Sequence, residues 1–191
     1  MNESAEGLSY PWFGATTAEP EQAVMTTIAR GILPLDNVHS SGTPVTLDQM
    51  AGRIYSVGYE GLTVAGLVER LQQSRIEELV DVRANPFSRR PGFSKKKLAG
   101  SVEAAGIAYR HEPLLGNAFR DVEDFAAAMD LMRDHLSSGE PSEAVDRLIA
   151  LADGRRIAVL CLETDQRRCH RQIVLETALA RHPTLDILPL H

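Results

Sequence analysis

Apolar positions along this chain change their rhythm near residue 53. Before that point, residues 1–50 scatter Gly, Pro, Ser and Thr, as in GILPLDNVHSSGTPVT, around one short apolar pattern at 23–32. Such a composition predicts a loosely structured extension with room for one helix. From Arg53 onward, short apolar runs alternate with longer stretches of helical period, the pattern of a parallel α/β sheet. RIYSV (53–57), EELVDVR (77–83), IAYR (107–110), RIAVLCL (156–162) and the terminal LDILPL read as strands. Between the first two, LTVAGLVERLQQS (62–74) sets Leu62, Ala65, Leu67, Val68 and Leu71 on one helical face, with Thr63 as its cap. SKKKLAGSVEAAG (94–106) is predicted to be a helix capped by Ser94 and stopped by Gly106. The strongest helix signal is DVEDFAAAMDLMRDHL (121–136), opened by Asp121 and further acids and closed by Arg133 and His135, as the helix dipole prefers. SEAVDRLIALADG (142–154) and CHRQIVLETALARH (169–182) complete the set. The fold expected is a single α/β domain over 51–191: a mainly parallel, Rossmann-like sheet between two helical layers. Strands 53–57, 77–82 and 156–161 are expected to lie adjacent or one apart.

Composition narrows the functional classes. At 191 residues and 43% hydrophobic, the chain builds one substantial core and has no room for a second full domain. A net charge of −6 argues against a nucleic-acid binder that uses its whole surface, and shifts attention to local patches. There is no run of about eighteen apolar residues to span a bilayer. MNESAEGLSYPWFG lacks the basic start and apolar centre of a signal peptide, so a cytoplasmic location and no membrane partner are expected. Two cysteines make no disulfide framework and are expected as free thiols. Nothing in the sequence fixes the oligomeric state.

Chemistry in open parallel sheets collects at the carboxyl ends of the strands, where loops meet helix N-termini. Three polar clusters fall there: GYEG (58–61), DVRANPFSRRPGFS (81–94) and CLETDQRRCHR (161–171). Residues 83–97 carry Arg83, Arg89, Arg90, Lys95, Lys96 and Lys97 and no acid, inside an acidic protein. That patch suits an anion, phosphate above all, with Arg171 as a further ligand; a solvated basic loop is the plainer alternative. Phe87 and Phe93 either stack a base or anchor the loop to the core. Asp81 and Arg83 stand two apart on a strand and share a face, as a catalytic acid with its partner or as a structural ion pair. Glu60 is a carboxylate in a flexible turn.

Cys161, after AVL at a strand end, reads first as a core thiol. Cys169 is placed at a helix start beside Arg168 and His170, where dipole and charge lower a thiol pKa: a nucleophilic or redox role is the sharper reading and structural packing the plainer one. His170 is expected to be a neutral general base, with Glu163 as an acid across the loop. No metal is expected. C-x7-C-H matches none of the usual zinc spacings, and adjacent Cys169 and His170 would splay by about 100° on a helix. Were a metal present, Glu163 or Asp165 would be its extra ligand. C-x5-R at Cys161–Arg167 has phosphatase-loop spacing, yet Glu163 and Asp165 would repel a phosphate there, so the match reads as accidental. No glycine-rich dinucleotide fingerprint or phosphate-cradling loop occurs, and no cofactor is expected.

VGYEG, LVDVRANPFSRRPGFSKKKL, IAYRHEPLLGN and VLCLETDQRRCHR, in this order and spacing, resemble the domain of unknown function 488 family from about Ile54 to Ala180. The resemblance implies an α/β fold and a shared polar site, and says little about the reaction. Residues 1–50 lie outside it. The function expected is hydrolysis or group transfer on a phosphorylated or nucleotide-like anion in a strand-end pocket. Glu60, Asp81, Glu163, Cys169 and His170 are its catalytic candidates, and Arg83, Arg89, Arg90, Lys95 and Arg171 its anion ligands. The rival reading is a non-catalytic module that binds nucleic acid or protein through the 83–97 loop.

Overall fold

The computed structural model describes residues 52–190; the extension expected over 1–50 lies outside the described residues. Five parallel strands, β1 (Arg53–Gly58), β2 (Glu78–Asp81), β3 (Ala108–His111), β4 (Arg156–Cys161) and β5 (Asp186–Pro189), form one sheet in the order β3-β2-β4-β1-β5. The central trio is the one expected from the apolar runs. Helices α1 (Val64–Gln73), α2 (Lys95–Ala104), α3 (Phe125–His135), α4 (Gly139–Ala152) and α5 (Arg171–Arg181) cover both faces, giving three layers. Among the described residues, no helix is long and apolar enough to cross a membrane.

Side-chain alternation divides the core in two. Leu79, Ala158 and Leu160 face α1 and α2 and pack with Leu67, Leu71, Leu98 and Val102. Val80, Val82, Ile157, Val159 and Cys161 face the opposite way, onto Met132, Leu148 and Val174 of α3, α4 and α5.

Local chemistry explains where helices start. Thr63 Oγ1 accepts from the Gly66 amide at 3.1 Å and caps α1 as the sequence suggests. The helix expected from residue 121 starts instead at Phe125, because Asp124 Oδ1 takes the amides of Ala126 and Ala127 at 2.8 and 3.1 Å; the other acids precede the helix. The helix expected from residue 169 starts at Arg171. Its predecessor, Gln166–Arg168, is a 3-10 turn capped by Asp165, and Cys169 follows it in extended backbone at φ −133° and ψ 139°. Cys169 therefore stands outside the helix, and His170 is its first flanking residue. Helix α4 begins three residues earlier than expected, at Gly139, whose φ is +64°.

Candidate functional site

Strand order creates the site. The chain leaves β1 and β2 toward the α1–α2 layer, but leaves β4, which lies between them, toward α5 in the other layer. Loops that diverge to opposite faces open a crevice at the carboxyl ends of neighbouring strands. Cys161 ends β4 at this place, with Gly58 of β1 as its register partner. The GYEG turn continues the pairing: the Tyr59 and Glu60 amides donate to the carbonyls of Cys161 and Leu162 at 3.1 and 2.8 Å. Thr164 then donates through its amide to the Glu60 carboxylate at 3.3 Å and through its hydroxyl to the Glu60 carbonyl at 3.1 Å. A Cβ on Gly58 would lie 1.9 Å from the Glu163 carbonyl oxygen. Gly58→Ala is accordingly expected to cost about 1–3 kcal/mol, as overpacking does, and to displace Glu163; thermal unfolding together with the reactivity of Cys161 toward an alkylating reagent measures both.

Four side chains meet below this turn. Cys161 Sγ donates to Glu163 Oε2 at 3.3 Å and stands 3.7 Å from His170 Nδ1. Cys169 Sγ stands 3.8 Å from the same nitrogen. His170 Nε2 faces the Val82 carbonyl at 3.1 Å; a carbonyl only accepts, so Nε2 carries a proton and Nδ1 turns toward the sulfurs. Arg171, 1% exposed, closes the back: Nε donates to Ser56 Oγ at 2.7 Å, Nη2 to the Glu163 carbonyl at 3.1 Å and Nη1 to Cys169 Sγ at 3.6 Å.

The thiols divide one charge between them. A hydrogen bond from Cys169, with His170 in support, outweighs burial and lowers Cys161 to about 6. The same contact with Cys161, then burial, raises Cys169 far above an ordinary thiol despite Arg171. Burial lowers His170, but its bond to Cys161 wins and its pKa is raised. For Glu163, burial is overcome by hydrogen bonds from Cys169, its own backbone and Cys161, and the carboxyl is lowered. Cys161, read first as a core thiol, is the more acidic of the two, and Cys169, outside the helix whose dipole was to activate it, is the less acidic and packs in the core, its plainer reading.

Asp81 and Arg83 form a separate unit in the other layer. Asp81 is fully buried, and Arg83 pairs with both of its oxygens while donating to Tyr59 Oη at 3.1 Å and the Phe93 carbonyl at 2.9 Å. Tyr109 Oη donates to the same carboxylate at 2.6 Å. Phe93 stacks on Tyr59 with ring centres 4.4 Å apart and so anchors the loop, whereas Phe87 is 72% exposed. The expected convergence of Arg83 with Glu163 and His170 is therefore not what the fold builds: residues 81 and 83 point to the face opposite Val82, the one whose carbonyl holds His170. Arg90 donates to the Tyr59 and Leu62 carbonyls, and Lys95 to His111 Nδ1 at 3.0 Å. Arg89 is exposed.

A cleft of about 320 Å³ lined by Glu60, Glu163, Asp165 and Arg168 leads to the cluster. A larger hollow, about 440 Å³, lies at the amino ends of the strands beside Gly52 and Leu185, where Arg181 is engaged by Asp146 and Ser142. It is lined by one imidazole, His182, which meets the Thr184 hydroxyl at 2.9 Å, and by no thiol, so the smaller cleft is the one that adjoins the cysteine–histidine cluster. The phosphatase-like spacing at Cys161–Arg167 is indeed accidental: Arg167 pairs with Asp165, and the Arg168 and Cys169 amides are spent on the turn. Sequence reasoning put Cys161 in the core, where it lies, but gave it no part in the site, and it passed over Ser56 and the Val82 carbonyl. The legible signal was C-x-E at the end of β4, which puts Cys161 and Glu163 in step.

Fold and site together define a doubly wound parallel α/β protein with a buried thiol–imidazole–carboxylate cluster at its strand-order switch. The chain belongs to the family described as Domain of unknown function DUF488, whose model matches residues 63–178. Comparison with curated proteins and with solved structures gives no match.

Proposed function

We propose that the protein is an enzyme of hydrolysis or group transfer that reacts a small phosphate-bearing or nucleotide-like molecule at the Cys161–Cys169–His170 cluster. One observation carries this reading: Glu163 belongs to both halves of the site, with Oε2 3.3 Å from Cys161 Sγ while its side chain lines the open cleft. A carboxylate that joins buried reactive groups to solvent is where a proton passes between them and a bound substrate. Among the described residues that line the cleft Arg168 is the cation, and against the repulsion of Glu60, Glu163 and Asp165 it holds a singly charged phosphate, such as a diester, in preference to a dianion. Glu60 and Asp165 accept from hydroxyl or amino groups of the remainder, a division of labour that limits the site to substrates of low total charge. Two free cysteines suit a reducing, cytoplasmic setting. The rival reading, a binding module built on residues 83–97, has less support, because Arg83, Arg90 and Lys95 spend donors inside the protein.

A panel of nucleotides, phosphosugars and simple phosphate esters, followed by product analysis, tests the reading. Glu163→Gln is expected to lower turnover about 10²-fold, the lower range for a lost proton-transfer group, with thermal unfolding unchanged. Turnover equal to that of the parent protein sinks the assignment.

A further inference from the structure

The cluster holds one group too many for a thiol–imidazole pair. In such a pair a single sulfur hydrogen-bonds the ring nitrogen and is activated by it. Here His170 Nδ1 is 3.7 Å from one sulfur and 3.8 Å from the other, a vertex shared by both. The three ligand atoms lie within 4.8 Å of one another. A tetrahedral ion with sulfur at about 2.3 Å and nitrogen at about 2.05 Å sets the sulfur–nitrogen edges at about 3.55 Å and the sulfur–sulfur edge at about 3.75 Å. The two sulfur–nitrogen distances, 3.7 and 3.8 Å, lie within about 0.3 Å of the first value, a closure that small side-chain shifts supply.

The surroundings match as well. A ligating imidazole usually donates its other N–H to a carbonyl or carboxylate, which fixes the ring and its tautomer; Val82 does this for Nε2. Cys169 Sγ receives the Arg171 amide at 3.5 Å and Nη1 at 3.6 Å, donors that a metal-bound thiolate accepts well and a neutral thiol poorly. The sequence-based objection, that Cys169 and His170 splay on a helix, fails because Cys169 is in extended backbone ahead of α5.

We propose that Cys161 Sγ, Cys169 Sγ and His170 Nδ1 bind a zinc-class divalent cation, leaving a fourth position open toward Glu163 and the cleft. Two thiolates and an imidazole select such an ion over magnesium or calcium. Three protein ligands with one open position is the format of catalytic rather than structural zinc. The use of that position rests on the enzymatic reading above: a water bound there gives one proton to the Glu163 carboxylate, its O–H electron pair stays on oxygen, and the resulting hydroxide is the nucleophile.

Elemental analysis of the full chain, purified without chelator, is expected to find about one zinc per protein. The metal-free chain titrated with cobalt(II) is expected to give a thiolate-to-cobalt charge-transfer band and the strong visible bands of a four-coordinate ion. Cys161→Ser and Cys169→Ser should each weaken cobalt binding by about tenfold or more, while Glu163→Gln keeps both sets of bands. The inference is overturned if the parent chain holds no zinc and gives no sulfur-to-cobalt band, or if the double serine variant binds cobalt as tightly as the parent. Absence of metal with a Glu163→Gln turnover defect defeats the metal and leaves the enzyme. A full complement of metal in a chain that turns over nothing in the panel supports the site, makes it structural and defeats the enzyme.

Discussion

Asp81→Ala is expected to lower the unfolding free energy by about 3–5 kcal/mol, the loss typical when one member of a buried ion pair is stranded. Chemical denaturation would show it as a fall in midpoint at constant slope. Asp81 is fully buried and Arg83 is 6% exposed. Its carboxylate accepts the Arg83 amide at 3.1 Å, Nε at 2.8 Å, the Nη2 group and the Tyr109 hydroxyl. Without it, the guanidinium keeps only the Tyr59 hydroxyl and the Phe93 carbonyl, neither of which carries charge. Arg83 has no escape by losing its proton: although burial opposes the charge, Asp81 outweighs it and holds the group above the ordinary arginine range. Tyr109 is likewise pushed up, by burial first and then by its bond to Asp81. Combining Asp81→Leu with Arg83→Met should recover most of the loss, because both desolvation penalties disappear together. If Asp81→Ala costs under about 1 kcal/mol, the level of an ordinary substitution, the carboxylate is not a structural clamp and its candidacy as a catalytic acid revives.

Arg171→Ala is expected to cost about 3–4 kcal/mol, from a cavity plus buried acceptors left without donors. Arg171 heads the fully buried side chains by size. It ties the Ser56 hydroxyl of β1 and the Glu163 carbonyl beyond β4 to the start of α5, so its loss leaves α5 without this brace to the sheet edge. Arg171→Lys should recover only part, since an ammonium on a flexible stem cannot reproduce a planar fork with donors in three directions. Urea denaturation measures the loss, and faster alkylation of Cys161 and Cys169 in the folded variant reports the opened cluster. An Arg171→Ala protein with parental stability would falsify the bracing role.

Particular residues show how far the sequence could be read. Thr63, Gly106 and the apolar run before Cys161 act locally, through a cap, a left-handed turn and a buried strand, and each stands as expected. Helix starts at 121 and 169 were misplaced because several residues there can cap, and only the packed chain decides which does: Asp124 takes two amides at one, and Asp165 winds a separate turn at the other. The basic segment 83–97 was legible as charge but not as destination. Arg83 pairs with Asp81 two residues before it, the structural ion pair that the sequence left as one of two readings, whereas Arg90 reaches the carbonyls of Tyr59 and Leu62, 31 and 28 residues away, which no local pattern announces.

The sequence by itself determined the parallel α/β class, the main strands and the presence of two thiols, four carboxylates (Glu60, Asp81, Glu163 and Asp165) and an imidazole near their ends. Hydrophobic period suffices for that, since it reports which faces of each element are buried. Only the tertiary structure decided that β4 enters between β1 and β2 while its chain departs to the opposite layer. That choice sets Asp81 and Arg83 in one layer and Cys161, Cys169 and His170 in the other, and it brings the Val82 carbonyl to a ring 88 residues further along. Strand order depends on which non-local pairings bury the most apolar surface with satisfied backbone. No window of the sequence contains that information, because both partners of each pairing must be present before either has a preference.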